Sequence, residues 1–424
     1  MMRLLSKLAR LERVLDRHPR RLLWSVLIVA FALIITRRPD LVTHPQFWAE
    51  DGRFWYADAY NHGFKSLLYL YDGYLVFFYH LVALCSLLLP MRFGPLFFNL
   101  VAVLVQLSPL VLINSNRLRR VIPYRSLAIV ISFIYVSIPN ANEVFGNLTN
   151  IQWHLGVASF LVLIAETSRS RRWQIFDIGI LLATGLSGPL VIMLFPIAAL
   201  LWWRHHGRQN IRNLALLGAL ALLQLSTVFI LSSFHRVGNQ PGASLHFLIE
   251  MVVGQVFTGS LLGQKHVGLF YSHPVTLGFT LAIGLSLIIY AVIRGPLWLK
   301  LMNLFAALTF ASMLVSLKPL PGVNLWMSLT SPGIGQRYWY IPMLSWLSTL
   351  LWLLLASRLK LLKFCAGLLL VLLIAIGIPY SWRLKSLPNL QFQKYVSKFQ
   401  ALPPGTNYSI PINPPGWTVP LHKK

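Results

Sequence analysis

The chain alternates long apolar runs with short polar breaks. Runs of about 20 apolar residues, the length a helix needs to cross the hydrocarbon of a bilayer, recur along most of it. They lie near 22–38, 70–90, 94–113, 126–140, 150–166, 174–203, 212–232, 275–293, 297–317, 338–356 and 361–380. The 174–203 run is long enough for two short passes, and Thr184-Gly185-Leu186-Ser187-Gly188-Pro189 at its centre would break a helix and supply the turn. The pattern predicts an all-α polytopic membrane protein with about 11–13 transmembrane helices. Residues 1–380 read as the membrane domain and 381–424, the longest hydrophilic stretch, as a short extracytoplasmic tail. The first run follows a basic N-terminus as a signal peptide would, but leads into Arg37-Arg38-Pro39 with no small-residue cleavage site. It reads as an uncleaved anchor. Residues 1–21 can form a basic amphipathic helix on the inner leaflet, and a topogenic charge cluster accounts for them equally well.

Composition agrees: 56% of residues are hydrophobic and 11% charged, which excludes a large aqueous domain. A formal net charge of +26 would suit a nucleic-acid binder, but 22 of the 37 Lys and Arg residues sit in six clusters flanking apolar runs. That is the positive-inside bias, so the expected partner is the lipid bilayer and no nucleic acid. The clusters, at 3–21, 117–125, 169–172, 204–212, 294–300 and 358–363, read as cytoplasmic. One conflict arises, because two full passes over 70–113 would put Arg117-Leu118-Arg119-Arg120 outside. Either 70–113 holds a re-entrant or additional short element, or that loop departs from the charge rule. From residue 115 the alternation runs without strain and places 140–150, 185–189, 233–274, 318–337 and 381–424 on the side of the 39–69 loop.

Only eleven acids occur, and five of them, Asp40, Glu50, Asp51, Asp58 and Asp72, fall in one short segment near the N-terminus. Glu50 and Asp51 stand in Trp48-Ala49-Glu50-Asp51-Gly52-Arg53-Phe54-Trp55-Tyr56, a tight turn beside a surface helix with its aromatics at headgroup level. A carboxylate fixed there can take a proton from an attacking hydroxyl, and partial desolvation would raise its pKa usefully. The competing reading is a helix N-cap. Asp72-Gly73 looks first like a turn, and Arg53 and Lys65 are near enough to pair with some of these acids. The two carboxylates of Glu50 and Asp51 could also hold a divalent cation, magnesium or manganese, through oxygen ligands, and the sequence leaves that open.

Three other groups carry possible chemistry. Arg337 beside Tyr338, in Gly335-Gln336-Arg337-Tyr338-Trp339-Tyr340, suits a phosphate oxygen at headgroup depth, with interfacial snorkelling as the alternative. Lys265, His266 and Arg236 could receive a lipid phosphate. Asn150, Trp153 and His154, with Asn147 and Gln152, could bond to and stack on a sugar, or simply pack at a helix mouth. The histidines make no HExxH spacing, and Cys85 and Cys365 lie inside apolar runs, so neither a histidine metal site nor a disulfide framework is expected.

An anchor helix, an extracytoplasmic loop with an acidic pair, many further spans and a terminal segment outside resemble the GT-C superfamily of integral-membrane glycosyltransferases. Glu50-Asp51 matches the family's Asp-x-Asp motif in loosened form. Gly335-Gln336-Arg337-Tyr338 looks like the arginine motif ahead of a late helix, and Ile410-Pro411-Ile412-Asn413-Pro414-Pro415-Gly416-Trp417 like the closing segment of a bacterial group of this type. The resemblance implies a multi-pass enzyme of the bacterial cytoplasmic membrane with an outward-facing site. It would transfer a hexose or pentose from a polyprenyl-phosphate donor to a glycan, lipid or protein acceptor, with inversion. It further implies Asp51 as general base, with Glu50 orienting it or taking that role, and Arg337, with Lys265, stabilising the leaving phosphate. Two other readings compete. A polysaccharide polymerase or ligase would lean on a large, basic late loop, and the late loops here are modest. A lipid or solute transporter would carry ionisable residues along its spans, whereas Glu166 and Asp177 lie beside basic loops.

Overall fold

The computed structural model describes residues 2–231, 242–316 and 324–424. Among them eight helices are long and apolar enough to cross a membrane: Pro19–Arg37, Met91–Ile113, Arg208–Phe229, Leu245–Leu262, Pro274–Arg294, Leu297–Ser316, Gln336–Ala356 and Lys360–Tyr380. Shorter apolar helices, Phe77–Ser86, Arg125–Ser137, Ile151–Ile164 and Leu190–His205, accompany them. Sheet is confined to two small hairpins among the described residues. The chain is thus an all-α polytopic membrane protein, as its apolar periodicity predicts. The 174–203 run is divided at the expected break, into Arg171–Gly185 and Leu190–His205. Two compact units form, one from the parts of 1–132, 145–233 and 385–424, the other from 133–144 and 234–384.

In the first unit the 70–90 run is not a span. Its start is a hairpin, Leu70–Tyr71 paired with Tyr74–Leu75, reversing at Asp72 and Gly73, whose φ values are 55° and 84°. The helix Phe77–Ser86 that follows has only 10 residues, about 15 Å, half of what a bilayer core requires. With one short element and one full pass over 70–113, Arg117 to Arg125 falls on the side of the N-terminus, and the charge conflict disappears. Side-chain contacts agree. Glu12 of the N-terminal helix accepts the backbone N–H groups of Arg125 at 2.8 Å and Ser126 at 2.9 Å, and Asp16 pairs with Arg119 and Arg125. Arg117 forms a buried fork to Asp177 at 2.6 and 2.9 Å and donates to the Glu166 carbonyl. Three of the basic clusters therefore meet at one end of this unit.

In the second unit the 233–274 loop contains a helix, Leu245–Leu262. It bonds to the loop ahead of helix Gln336–Ala356, and its Phe257 ring packs 4.6 Å from that of Trp346, midway along that helix. Tyr271 donates to the carbonyls of both Glu250 and Thr330, at 3.0 Å each. Gln255 donates to the carbonyls of Leu329 and Ser331 and accepts from Asn140. The Leu261 carbonyl lies against Gly377, beside Pro139. Arg236 lies outside the described residues.

The core that matters for function is aromatic and belongs to the first unit. Phe47 sits at its centre, with Tyr56 at 4.9 Å, Phe98 edge-on at 5.0 Å and Phe392 edge-on at 5.4 Å. The last residues close over it as a helix, Phe392–Gln400, and a hairpin, Asn407–Ile412 with Trp417–His422. Alternation along those strands turns Ile410, Ile412, Val419 and Leu421 inward. Trp55 and Tyr56, expected at headgroup level, are instead 2% and 1% exposed and belong to this core. The aromatic content of the segment serves packing more than anchoring.

Candidate active site

The acidic pair is held from both sides. Asn413 of the tail donates its N–H to the Phe47 carbonyl at 3.3 Å and accepts the Ala49 N–H on its own carbonyl. Ala49 is left-handed, with φ 35°, a conformation that non-glycine residues adopt only when their surroundings impose it. The chain then winds into a wide π-helical turn, Asp51–Tyr56, a form that recurs at functional sites. Gly52 is required there, since a Cβ would stand 2.6 Å from Ile412 and 2.9 Å from Val419 of the tail hairpin.

The five acids between residues 40 and 72 separate into different roles. Asp40 is buried in a fork with Arg38, at 2.7 to 3.2 Å. Asp58 approaches the buried His80 ring at 3.4 Å. Asp72 is exposed and forms the hairpin turn. Asp51 is 1% exposed, and its carboxylate is fully engaged. One oxygen accepts the Thr149 N–H and hydroxyl at 2.7 Å each, the other the Leu148 N–H at 3.0 Å. Burial pushes its carboxyl up to about 7, against the opposing pull of the Thr149 and Leu148 donors. Glu50 stands beside Asp51 but faces outward. It is half-buried, and the Tyr71 hydroxyl donates to it at 3.3 Å.

Thr149 is the residue that sequence reasoning missed. Besides bonding to Asp51, its hydroxyl accepts the Trp55 indole N–H at 3.0 Å, and its carbonyl accepts the Tyr79 hydroxyl at 3.2 Å. The signal was present in the amide-rich segment before helix Ile151–Ile164, but a lone Thr there has no distinguishing spacing. Asn150 stands at the N-terminal boundary of that helix without a capping bond from its side chain and is bonded to the Asn147 side chain, while Trp153 and His154 are buried, His154 edge-on to Phe145 at 5.5 Å. These three line the helix start from within.

The second unit gathers the other polar candidates. Arg337 opens helix Gln336–Ala356 after the left-handed Gly335, and Glu143 accepts both its backbone N–H, at 3.1 Å, and its guanidinium. The guanidinium also lies 4.9 Å above the Tyr338 ring. Next to it an amide network joins Gln336 to Asn140 and Gln264, and Gln264 to Asn142, each at 3.0 Å. Lys265 follows Gln264 on the turn Gln264–His266 and is exposed. His266 accepts or donates through Nδ1 at the Leu262 carbonyl, 2.9 Å away.

The acidic pair does not suit a divalent cation shared by both carboxylates. Three protein donors already occupy most of the roughly four lone-pair sites of Asp51, so the pair could give only a few of the six or more oxygens such ions want.

No family model matches the chain, and no curated protein matches it. Among solved structures it is similar to the oligosaccharyltransferase of Archaeoglobus fulgidus in its apo form, at 14% identity and a TM-score of 0.42. The likeness covers 90% of this chain, which spans 58% of that one. No residue here takes its role from that likeness.

Proposed function

We propose that the chain is a GT-C-type membrane glycosyltransferase that moves one sugar from a polyprenyl-phosphate donor to an acceptor on the outer side of a bacterial cytoplasmic membrane. In this reading residues 1–380 form the membrane domain and 381–424 the closing outer segment. The observation that carries it is Glu50: an accessible carboxylate, fixed by the Tyr71 hydroxyl and by a left-handed Ala49, beside a second carboxylate that is buried and held by three protein donors. Glu50 accepts the proton of the acceptor hydroxyl as that oxygen attacks the anomeric carbon, and the phosphate leaves from the opposite face with inversion. Asp51 acts by holding the Leu148–Thr149 turn, and so sets the height of Glu50. The sequence leaves the base open between the two acids, and exposure favours Glu50. The phosphate role of Arg337, with Lys265, is carried by the sequence resemblance alone; within its own unit Tyr338 steadies the Arg337 guanidinium by its ring face. Asn150, Trp153 and His154 support the site from inside the helix start, and Asp72 through its turn.

The test is sugar transfer from a panel of radiolabelled polyprenyl-phosphate sugars in membranes holding wild type or Glu50→Gln at matched levels. Transfer by the wild type that drops at least about a thousandfold in the variant supports the reading. Undiminished transfer removes Glu50 from the chemistry, and no transfer from any donor removes the transferase itself.

A further inference from the structure

The surface around Glu50 is built from aromatic rings interleaved with charge. The Tyr71 ring, whose hydroxyl donates to Glu50, lies 4.9 Å from that of Phe54, and Phe54 lies 6.5 Å from Trp417, edge to face. Arg53 occupies the corner between the last two, its guanidinium carbon 5.8 Å from the Phe54 centroid and 5.9 Å from that of Trp417. Tyr71, Phe54 and Trp417 are half-buried and Arg53 is exposed. These residues come from separate parts of the sequence: Tyr71 from the first hairpin, Arg53 and Phe54 from the π turn, Trp417 from the tail hairpin.

Each part answers a different feature of a sugar. Ring C–H groups of a pyranose or furanose carry partial positive charge and meet the negative face of an aromatic ring. Hydroxyls both donate and accept, and here a carboxylate accepts at one end of the strip while a guanidinium donates at the other. A guanidinium resting on two rings loses little freedom on binding, because its plane is already set. A lipid tail would want a continuous apolar groove without the two charges.

We infer that Tyr71, Phe54, Arg53 and Trp417 form an acceptor subsite for a saccharide, delivering a sugar hydroxyl to Glu50. The inference rests on the glycosyltransferase reading and narrows its acceptor to a glycan.

The experiment is saturation-transfer difference NMR on the full chain in lipid nanodiscs. The probes are neutral tri- and tetrasaccharides of hexose, deoxyhexose and pentose units, with a hydrophilic peptide and a short-chain phosphatidylglycerol alongside. Ring C–H signals are expected from one or more saccharides. They should be kept in Trp417→Phe and reduced at least about fivefold in Trp417→Ala and in Arg53→Ala, the latter an exposed change that leaves folding intact. Three results overturn the inference: no saccharide signal, saccharide signals equal in all variants, or Trp417-dependent signals only from the peptide or lipid. The two readings fail separately. Trp417-dependent saccharide binding without transfer from any donor sinks the transferase and leaves the subsite standing, whereas transfer without saccharide binding does the reverse.

Discussion

A single oxygen of Asp51 accepts both the backbone N–H and the hydroxyl of Thr149, each at 2.7 Å. That relationship makes Asp51 a strut between the first loop and the start of helix Ile151–Ile164. Asn at this position keeps one acceptor oxygen and turns an N–H₂ group toward donors, so Asp51→Asn is expected to destabilise by about 1–3 kcal/mol. Glu50→Gln, at a half-buried position with one hydrogen bond, should move Tm by no more than about 1–2 °C. Differential scanning fluorimetry in detergent checks both. Equal shifts in the two variants would remove the distinction between strut and base, and any loss of transfer in Asp51→Asn has to be read against its stability.

The raised Asp51 pKa makes a signed prediction. A carboxyl that titrates near 7 in the fold, from an ordinary value of 3.8, keeps its proton in the folded state over a range where the unfolded chain has lost it. Its contribution to stability is therefore complete below about pH 4, declines as pH rises between the two values, and is gone above about pH 7. Unfolding followed from pH 4 to pH 8 should show this decline in the wild type and a flatter profile in Asp51→Asn. A wild-type stability that rises over the same window through this group would reverse the sign and sink the claim.

Gly52 is where the tail hairpin presses closest on the acidic pair. Gly52→Ala places a methyl 2.6 Å from the end of the Ile412 side chain, an overpacking expected to cost about 1–3 kcal/mol. Because that neighbour is a terminal methyl, Ile412→Val in the same chain should recover part of the loss. A double-mutant cycle by thermal unfolding measures the coupling, and strictly additive effects would show that the tail does not bear on this glycine.

The phosphate role of Arg337 can be separated from plain charge. Its guanidinium is shared between the Glu143 carboxylate and the Tyr338 ring, a planar arrangement that an ammonium cannot reproduce. Arg337→Lys should raise KM for the polyprenyl-phosphate donor about tenfold while leaving acceptor KM unchanged. An unchanged donor KM would return Arg337 to interfacial anchoring.

How much of this was legible in the sequence differs by level. The spans and the 184–189 break were readable because apolar runs of that length have few alternative fates. The helix Leu245–Leu262 was not, because Glu250, Gln255 and Thr258 interrupt its apolar pattern, and the partners of Gln255 at Asn140 and Leu329 are remote in sequence. The acidic loop stood out by composition alone. What sequence could not separate was which of its acids is buried: Glu50 and Asp51 are adjacent, and only the wide turn sends one inward against Thr149 and leaves the other accessible. The Arg53–Trp417 contact joins positions far apart and leaves no local pattern at all.

The resolution of the charge conflict yields a topology test. Glu12 and Asp16 bind the 119–126 segment, which requires the N-terminal helix and that segment to lie on one face of the membrane. The short helix Phe77–Ser86 permits this, since only Met91–Ile113 crosses between the first loop and Arg117. Single cysteines are introduced at Leu11, Phe64 or Tyr124, which are 45%, 81% and 59% exposed, after replacing Cys85 and Cys365. A membrane-impermeant maleimide should label Phe64→Cys from one side, and Leu11→Cys and Tyr124→Cys from the other. Labelling of Tyr124→Cys together with Phe64→Cys would mean that 70–113 crosses twice. The loop after Ile113 would then be a true exception to the positive-inside rule, and its contacts with Glu12 and Asp16 could not form.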